Sequence, residues 1–199
     1  MIEVQNLSFA RGNHLILKNI NLQVHAGEVM VLRGPNGHGK TTLLSNIAKM
    51  IEPLEGKIFY QGEEIDDYIA SKTFLFIGEN SFAFDQLTLD QNIDYWLAIH
   101  NVKFSKSIRE QSIQYLFQGV NLKKKYYQLS FGQKKKLQLL LLMLVNKPVW
   151  ILDDPFNGLD IDSINKITTL ILKKKQNNGI VIIATHQNPA IQELKFYEI

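Results

Sequence analysis

The spacing of apolar and polar residues predicts strands toward both ends of the chain and helices between them. Ile20, Leu22 and Val24 alternate with polar residues, which predicts a half-exposed strand. Further strands are predicted at 2–4, 29–32, 57–60, 73–77, 149–152 and 180–185. The later strands are continuously apolar, which is typical of parallel strands covered on both faces. The pattern therefore favours an α/β fold with a mostly parallel sheet.

The spacing of apolar residues becomes that of a helix between positions 88 and 125. Thr88 and Gln91 have the spacing of a capping box, and so do Ser107 and Glu110, each ahead of apolar residues three or four apart. We therefore predict a helical insert in the α/β core.

A glycine-rich segment lies between the predicted strand at 29–32 and a helical pattern at 41–50. It fits the phosphate-loop motif G-x-x-x-x-G-K-[ST] and reads Gly34, Pro35, Asn36, Gly37, His38, Gly39, Lys40, Thr41, Thr42. A strand that turns sharply into a helix aims backbone N–H groups and the positive helix end at one point. In this motif Lys40 reaches the β- and γ-phosphates, and the Thr41 hydroxyl binds Mg²⁺. The chain is predicted to bind a nucleoside triphosphate.

A second apolar strand, at 149–152, ends in two acidic residues, Asp153 and Asp154. A phosphate loop needs another carboxylate to hold Mg²⁺ and a group that orients the attacking water. Asp153, at the strand's end, is the predicted Mg²⁺ ligand. Asp154 is the predicted general base.

Composition limits the class of protein. The 199 residues include no cysteine, which excludes disulfides and thiolate metal sites. The N-terminus lacks the pattern of a signal peptide, and the longest apolar run, 139–145, is far short of the ~20 residues that cross a bilayer. Any membrane role is therefore expected to depend on a separate partner chain.

The net charge of +3 is too small to favour nucleic acid by itself, but lysines occur in triplets at 123–125, 134–136 and 173–175. The last triplet is predicted to end a helix before Asn177, where cations complement the helix dipole. The first is predicted to lie in a solvated loop. For the middle triplet, a solvated surface and a phosphate-attracting role both stay open.

Five motifs together resemble those of the ATP-binding-cassette (ABC) ATPases. They are the loop at Gly34, the segment 129–133, the acids at 153 and 154, the segment 158–160, and Thr185 with His186. Segment 129–133 is similar to the family signature Leu-Ser-Gly-Gly-Gln, with Phe131 in place of the first glycine. Its residues also predict a helix start, because Ser130 can cap and Gln133 follows three residues later.

The resemblance implies a P-loop NTPase fold of ABC type, with N-terminal antiparallel strands, a mostly parallel core and an inserted helical subdomain. It implies one ATP-binding domain over 1–199, with the helical subdomain at roughly 85–135. ATP and Mg²⁺ are the implied cofactors. Ser130, Gly132 and Gln133 would close over ATP held by a second copy, so a homodimer is expected. The implied partners are membrane-spanning subunits and not nucleic acid, and this chain is expected at the cytoplasmic face of the inner (cell) membrane.

Family matching also assigns roles outside the phosphate loop. His186 resembles the switch histidine that senses the γ-phosphate, and Asp160 resembles the aspartate of the dimer-facing loop. The glutamine that touches Mg²⁺ matches Asn80, with Glu79 as the alternative. The adenine-stacking aromatic matches Arg11, whose guanidinium plane can also stack on a base, and Phe9 remains an alternative.

Asp154 departs from the family, which normally has glutamate at this position. The shorter side chain withdraws the carboxylate by more than about 1 Å unless the backbone shifts, and such a misplacement can cost ~10²-fold in rate. We therefore expect slow ATP hydrolysis.

The short length and the segments 150–156 and 179–187 are most similar to ATP-binding subunits of the haem exporters that act in cytochrome c maturation. The expected function is thus ATP hydrolysis that powers haem export. The alternatives are the ATPase of another efflux or peptide exporter, a subunit that mainly binds ATP, and a non-transport ABC ATPase that acts on nucleic acid. The last is disfavoured because the chain has neither paired cassettes nor a long coiled-coil insertion.

Overall fold

The computed structural model describes residues 1–78, 83–102, 106–187 and 191–199. Its strands are β1 (Ile2–Arg11), β2 (His14–Val24), β3 (Val29–Arg33), β4 (Glu55–Tyr60), β5 (Glu63–Glu64), β6 (Phe74–Ile77), β7 (Val149–Asp153), β8 (Ile180–Ala184) and β9 (Lys195–Glu198). Its α-helices are α1 (Lys40–Ile47), α2 (Asp67–Thr73), α3 (Leu89–Ile99), α4 (Lys106–Leu116), α5 (Phe131–Leu144) and α6 (Ile161–Gln176). A short 3₁₀ helix spans Tyr126–Gln128.

The chain forms two compact units. The first, here called the sheet unit, comprises 1–78, 147–154 and 171–199; the second, the helical unit, comprises 79–146 and 155–170. The prediction of one ATP-binding domain with a helical subdomain at roughly 85–135 stays a prediction. None of the helices in the described ranges is long and apolar enough to cross a bilayer.

The sheet unit contains two sheets. One is antiparallel with the order β2-β1-β4-β5, and the other is parallel with the order β6-β7-β8-β3-β9. This confirms the predicted mostly parallel core with N-terminal antiparallel strands. The carboxyl ends of β3, β7 and β8 meet at one edge, because β8 pairs in parallel with both neighbours. Residues that follow these three strands are therefore brought together.

The apolar patterns explain the core of the sheet unit. Every residue of β7 and β8 is buried, as expected for parallel strands covered on both faces. In α1, Leu43, Leu44 and Ile47 have no exposed surface and join the same core. The predicted helix at 41–50 is thus α1, which anchors the end of the glycine-rich loop to the sheet.

Several elements differ from prediction. β1 continues to Arg11, well beyond the predicted 2–4, because an irregularity at Gln5 and Asn6 interrupts the alternation. Asn6 has a φ of 50°, a left-handed conformation that asparagine tolerates. Thr73, predicted to begin a strand, instead ends α2. α2, β5 and β9 were not predicted.

The helical unit begins α3 with the predicted capping box. The Thr88 side chain accepts from the Gln91 N–H at 3.2 Å, and Gln91 Oε1 accepts from the Thr88 N–H at 2.9 Å. The second predicted box is wrong, because Ser107 lies inside α4, which already includes Lys106.

Asn92 is fully buried on α3 and binds backbone rather than side chains. Its Oδ1 accepts from the Phe84 N–H at 2.8 Å, and its Nδ2 donates to the carbonyls of Phe84 and Thr88 at 3.1 and 3.0 Å. One amide side chain therefore holds the segment 84–88 against α3 through main-chain groups.

Arg109 links α4 to α3. Its Nη2 donates to Asp90 at 2.5 Å and to Asp94 at 2.9 Å, and the Arg109 side chain is mostly buried. Hydrogen bonds between charged groups are stronger than neutral ones, and two acceptors share this guanidinium.

We expect Arg109→Ala to lower the free energy of unfolding of the helical unit by about 1–2 kcal/mol, since the charged bonds are lost but both carboxylates are partly solvated. Urea denaturation measures the change. Lys106→Ala is the matched control, because its pair with Glu110 on the same helix spans 4.0 Å between exposed side chains. Equal effects of the two substitutions would contradict the role of Arg109.

Candidate nucleotide site

The segment 34–42, here called the phosphate loop, joins β3 to α1 as predicted. Gly39 caps the helix with a φ of 98°, which disfavours a side chain. A β-carbon at Gly39 would also lie 2.8 Å from Leu17 Cδ2 on β2. The antiparallel sheet therefore supports the loop from one side, and only glycine fits at the turn.

Lys40 lies within the curve of the phosphate loop and is buried. Its Nζ donates to the carbonyl of Gly34 at 2.7 Å and to that of Pro35 at 2.9 Å. The ammonium is thus held at the centre of the loop by main-chain oxygens. A triphosphate bound in the loop would meet this positive charge directly.

The start of α1 fits an anionic ligand. Gly39 supplies no side-chain cap, so the first-turn N–H groups of Lys40, Thr41 and Thr42 have no partner from a capping side chain. Such N–H groups at a positive helix end are suited to bind phosphate oxygens. This supports the predicted role of the phosphate loop.

Thr41 and Asp153 come together although they are far apart in sequence. Thr41 Oγ1 donates to Asp153 Oδ2 at 2.8 Å, and Asp153 is buried at the end of β7. This separation is close to the roughly 3 Å between neighbouring oxygens around an octahedral Mg²⁺. Over the described ranges no group of three or more His, Cys, Asp or Glu side chains could hold a metal ion. One hydroxyl and one carboxylate oxygen at this distance fit Mg²⁺, which usually keeps phosphate oxygens and water among its ligands.

Asp154 and His186 follow β7 and β8, which are neighbours in the parallel sheet. The Asp154 N–H donates to the Ala184 carbonyl at 2.8 Å. The Thr185 hydroxyl accepts from the Gln187 N–H at 3.1 Å, which turns the chain at His186. Both predicted residues therefore lie at the same sheet edge as the phosphate loop. Thr185 was not among the predicted site residues, although a hydroxyl directly before a histidine at a strand end was a usable signal.

Asp154 has a φ of 41°. This left-handed region is uncommon for residues other than glycine, and aspartate enters it more readily than most. The backbone at this position therefore favours the short acid over glutamate.

The predicted adenine contacts lie on the first hairpin. Arg11 is exposed and pairs with His14 across the turn, while Phe9 pairs with Leu17, which packs beside Gly39. Both candidates stay open as predictions. Asn80 and its alternative Glu79 lie outside the described residues.

Segment 129–133, here called the signature segment, belongs to the helical unit. Ser130 Oγ accepts from the Gln133 N–H at 3.2 Å, and Gln133 Oε1 accepts from the Ser130 N–H at 3.1 Å. The predicted capping box at the start of α5 is confirmed. A β-carbon at Gly132 would lie 2.8 Å from the Gly158 carbonyl oxygen, so this position also requires glycine.

Asp160 caps the start of α6 in the same unit. Its carboxylate accepts from the Ser163 N–H at 2.8 Å and from Lys136 Nζ at 2.9 Å. Hydrogen bonds from the Ser163 side chain and the Lys136 ammonium hold the pKa of Asp160 well below its usual range. Asp160 is therefore ionised at neutral pH.

The lysine triplets have structural roles of their own. Lys136 pairs with Asp160, Lys134 lies 4.8 Å from the centre of the Tyr126 ring, and Lys135 is buried. These contacts favour an intramolecular role for the middle triplet over phosphate attraction. The triplet 173–175 ends α6 as predicted.

Residues 17–157 match the family model described as ABC transporter. The chain belongs to the ABC transporter family. Cytochrome c biogenesis ATP-binding export proteins named CcmA are similar over nearly their full length. The protein from Wolbachia pipientis wMel is 33% identical over 94% of this chain and 90% of its own, and that from Reclinomonas americana is 34% identical over 98% and 89%.

Solved structures agree with this family. An ATP-binding cassette, determined as a dimer in a post-hydrolysis state with ADP and phosphate, superposes with a TM-score of 0.80 at 25% identity, covering 94% of this chain and 88% of its own. An ATP-binding protein assigned to an ABC transporter of Pyrococcus furiosus superposes with a TM-score of 0.83 at 29% identity, covering 99% and 96%. The chain is thus an ATP-binding ATPase of a family whose members dimerise and serve membrane transporters.

We expect Thr41→Val to raise the Mg²⁺ concentration needed for half-maximal ATP hydrolysis at least about tenfold, since one oxygen ligand is lost and even the loss of a group that orients a ligand costs about 10- to 100-fold in metal affinity. Titration of Mg²⁺ at saturating ATP measures this. Ser45→Ala is the matched control, because its hydroxyl lies on the same helix and donates to the Thr41 carbonyl rather than toward Asp153. An unchanged Mg²⁺ requirement would remove Thr41 from the metal site.

Proposed function

We propose that this chain hydrolyses MgATP as one half of a homodimer and so powers a membrane complex that exports haem for the maturation of c-type cytochromes. The observation that carries the nucleotide chemistry is the Thr41–Asp153 pair beside Lys40, at the uncapped start of α1. The haem assignment is supported by the CcmA relatives, at 33–34% identity over nearly the whole chain.

The residues of the phosphate loop bind and orient ATP. N–H groups at the start of α1 and the Lys40 ammonium hold the phosphates, and Gly34, Pro35, Asn36, Gly37 and His38 form the wall of the loop. Thr41 and Asp153 would hold Mg²⁺, with Asn80 proposed as a further ligand. The chemistry that Mg²⁺ would supply there is positive charge against the phosphate oxygens.

Asp154 acts on the attacking water, and His186 acts on the γ-phosphate. Asp154 accepts the proton of that water as general base, and His186 contacts the γ-phosphate from the neighbouring strand end. The same phosphate is covered by the second copy, through its Ser130, Gly132 and Gln133. Asp160 lies in the loop that faces the other subunit. A monomer would therefore have an incomplete site and hydrolyse ATP poorly.

The membrane partners are proposed to be separate spanning subunits, with this chain bound at the cytoplasmic face of the inner membrane. Arg11 is proposed to stack on the adenine, and no nucleic acid is needed. The energy of ATP binding would close the dimer, and hydrolysis would reopen it.

The test is reconstitution with the membrane proteins produced from neighbouring genes. We expect them to copurify with this chain, to stimulate its ATPase, and to yield haem-loaded cytochrome c only when the ATPase is intact. ATPase stimulation without an effect on cytochrome c would instead assign the chain to another exporter. Salt-dependent binding of RNA or DNA, without recovery of membrane subunits, would contradict a transport role.

A further inference from the structure

Phe131 is the first residue of α5 and stands where the family signature has glycine. Its ring lies directly on Gly158, and a β-carbon at Gly158 would overlap both Cδ1 and Cε1 of the ring. Gly158 itself has a φ of +73°. The bulky residue at one position is therefore accommodated by the missing side chain at the other.

Two further contacts join the start of α5 to the segment 158–160, here called the α6 loop. The backbone at Gly132 lies against the Gly158 carbonyl so closely that a β-carbon would be only 2.8 Å from its oxygen. Lys136 Nζ binds Asp160 at 2.9 Å. The first residue of the α6 loop is thus held by the Phe131 ring and by Gly132, and its last residue is held by the Lys136 ammonium.

We propose that Phe131 is a positioning residue, whose ring on Gly158 fixes the α6 loop to the start of α5 so that Ser130 and Asp160 are presented together to a second copy. This inference rests on the proposed ATP-driven homodimer. The inference goes beyond the proposed function, because it assigns a structural role to Phe131, the residue that departs from the family signature.

The geometry explains how a large side chain at position 131 is compatible with the site. The ring is turned onto the α6 loop, while its other side is in solvent, with 58% of the residue exposed. The Ser130–Gln133 capping box is intact beside it. Phe131 therefore does not disturb the helix start that the signature segment needs.

The first experiment is a double-mutant cycle with Phe131→Ala, Gly158→Ala and both together. Gly158→Ala alone suffers a clash with the ring and the penalty of a positive φ, whereas in the Phe131→Ala background the clash with the ring is removed and the φ penalty stays. We expect the added methyl to lower the unfolding midpoint clearly more when Phe131 is present. Equal losses in both backgrounds would overturn the packing of the ring on Gly158.

The second experiment separates positioning from stability. We expect Phe131→Ala to weaken dimerisation with a non-hydrolysable ATP analogue and Mg²⁺, and to lower kcat about 10- to 100-fold. The KM for ATP should change less than about twofold, because the nucleotide binds first to the phosphate loop of its own subunit. Phe131→Tyr should retain wild-type dimerisation and kcat, because the ring remains.

Tyr127→Ala is the matched control, because Tyr127 is another half-exposed aromatic residue of the helical unit, just ahead of the signature segment. It should leave dimerisation and kcat unchanged. If Phe131→Ala dimerises and turns over like the wild type, the positioning role is wrong and the proposed function stands. If the wild-type chain neither dimerises with ATP nor hydrolyses it, both are wrong.

Discussion

Lys40→Ala is expected to reduce ATP hydrolysis about 10³-fold, because it removes the positive charge held inside the phosphate loop. The ammonium is fixed by the carbonyls of Gly34 and Pro35, so it needs no reorganisation when charge develops on the phosphates. The substitution also removes two hydrogen bonds that shape the loop. Steady-state turnover of the purified dimer measures the effect, and equilibrium binding of MgATP should weaken as well.

Lys49→Ala is a suitable control, since Lys49 follows the same helix and its ammonium pairs with the exposed carboxylate of Glu52. Lys40→Arg is the more demanding comparison, because it keeps the charge but replaces a compact ammonium with a planar fork in a buried position. We expect Lys40→Arg to be nearly as inactive as the alanine variant. Turnover close to wild type in Lys40→Ala would contradict the nucleotide site as described.

Asp154→Glu is expected to raise turnover by up to about 10²-fold, because the added methylene carries the carboxylate toward the attacking water. The φ of 41° at this residue imposes a cost, since glutamate enters the left-handed region several-fold less often than aspartate. That ratio corresponds to about 1 kcal/mol, so the variant should be more active and slightly less stable. Single-turnover hydrolysis and urea denaturation measure the two changes separately.

Asp154→Asn completes the comparison. Asparagine tolerates the same backbone conformation but cannot accept the proton, so its stability should match the wild type while hydrolysis is lost. If Asp154→Glu has unchanged or lower turnover, the distance of the carboxylate from the attacking water does not limit hydrolysis. The positive φ at this position would then be the reason why aspartate stands here instead of the glutamate of the family.

Much of the sheet unit could be predicted because its information is local. The runs at 29–32, 149–152 and 180–184 are apolar throughout, and their strands are buried on both faces. The phosphate loop needs glycines and a lysine at fixed spacing, so the motif determines its geometry. The capping boxes at Thr88 and Ser130 are likewise set by residues three apart.

The unpredicted elements depend on distant partners. β9 pairs only with β3, and its four residues carry two charges and little buried surface. α2 buries only Ala70 and Thr73, so it shows no apolar period, although its cap Asp66 was a signal. At Ser107 the spacing of a capping box was present, but the helix already includes Lys106.

In the candidate site, too, features set by local sequence could be predicted and features set by distant contacts could not. Thr41 and Asp153 were each predicted as Mg²⁺ ligands from a recognisable motif, and the structure brings the two side chains into contact. The contact between Phe131 and Gly158 was not predicted. It joins positions 27 residues apart, and the spacing of apolar residues along the sequence carries no information on such a contact. Nor could the left-handed backbone of Asp154 be inferred from an acidic pair at a strand end.

Asn92 secures residues 84–88 through their peptide groups, and so their side chains take no part in that attachment. Substitutions at the exposed Asp85 and Gln86 can then accumulate without loss of this attachment, provided that the one buried amide is kept. Evolution could thereby change the exposed side chains of this segment to suit a partner protein, while Asn92 keeps the backbone in place.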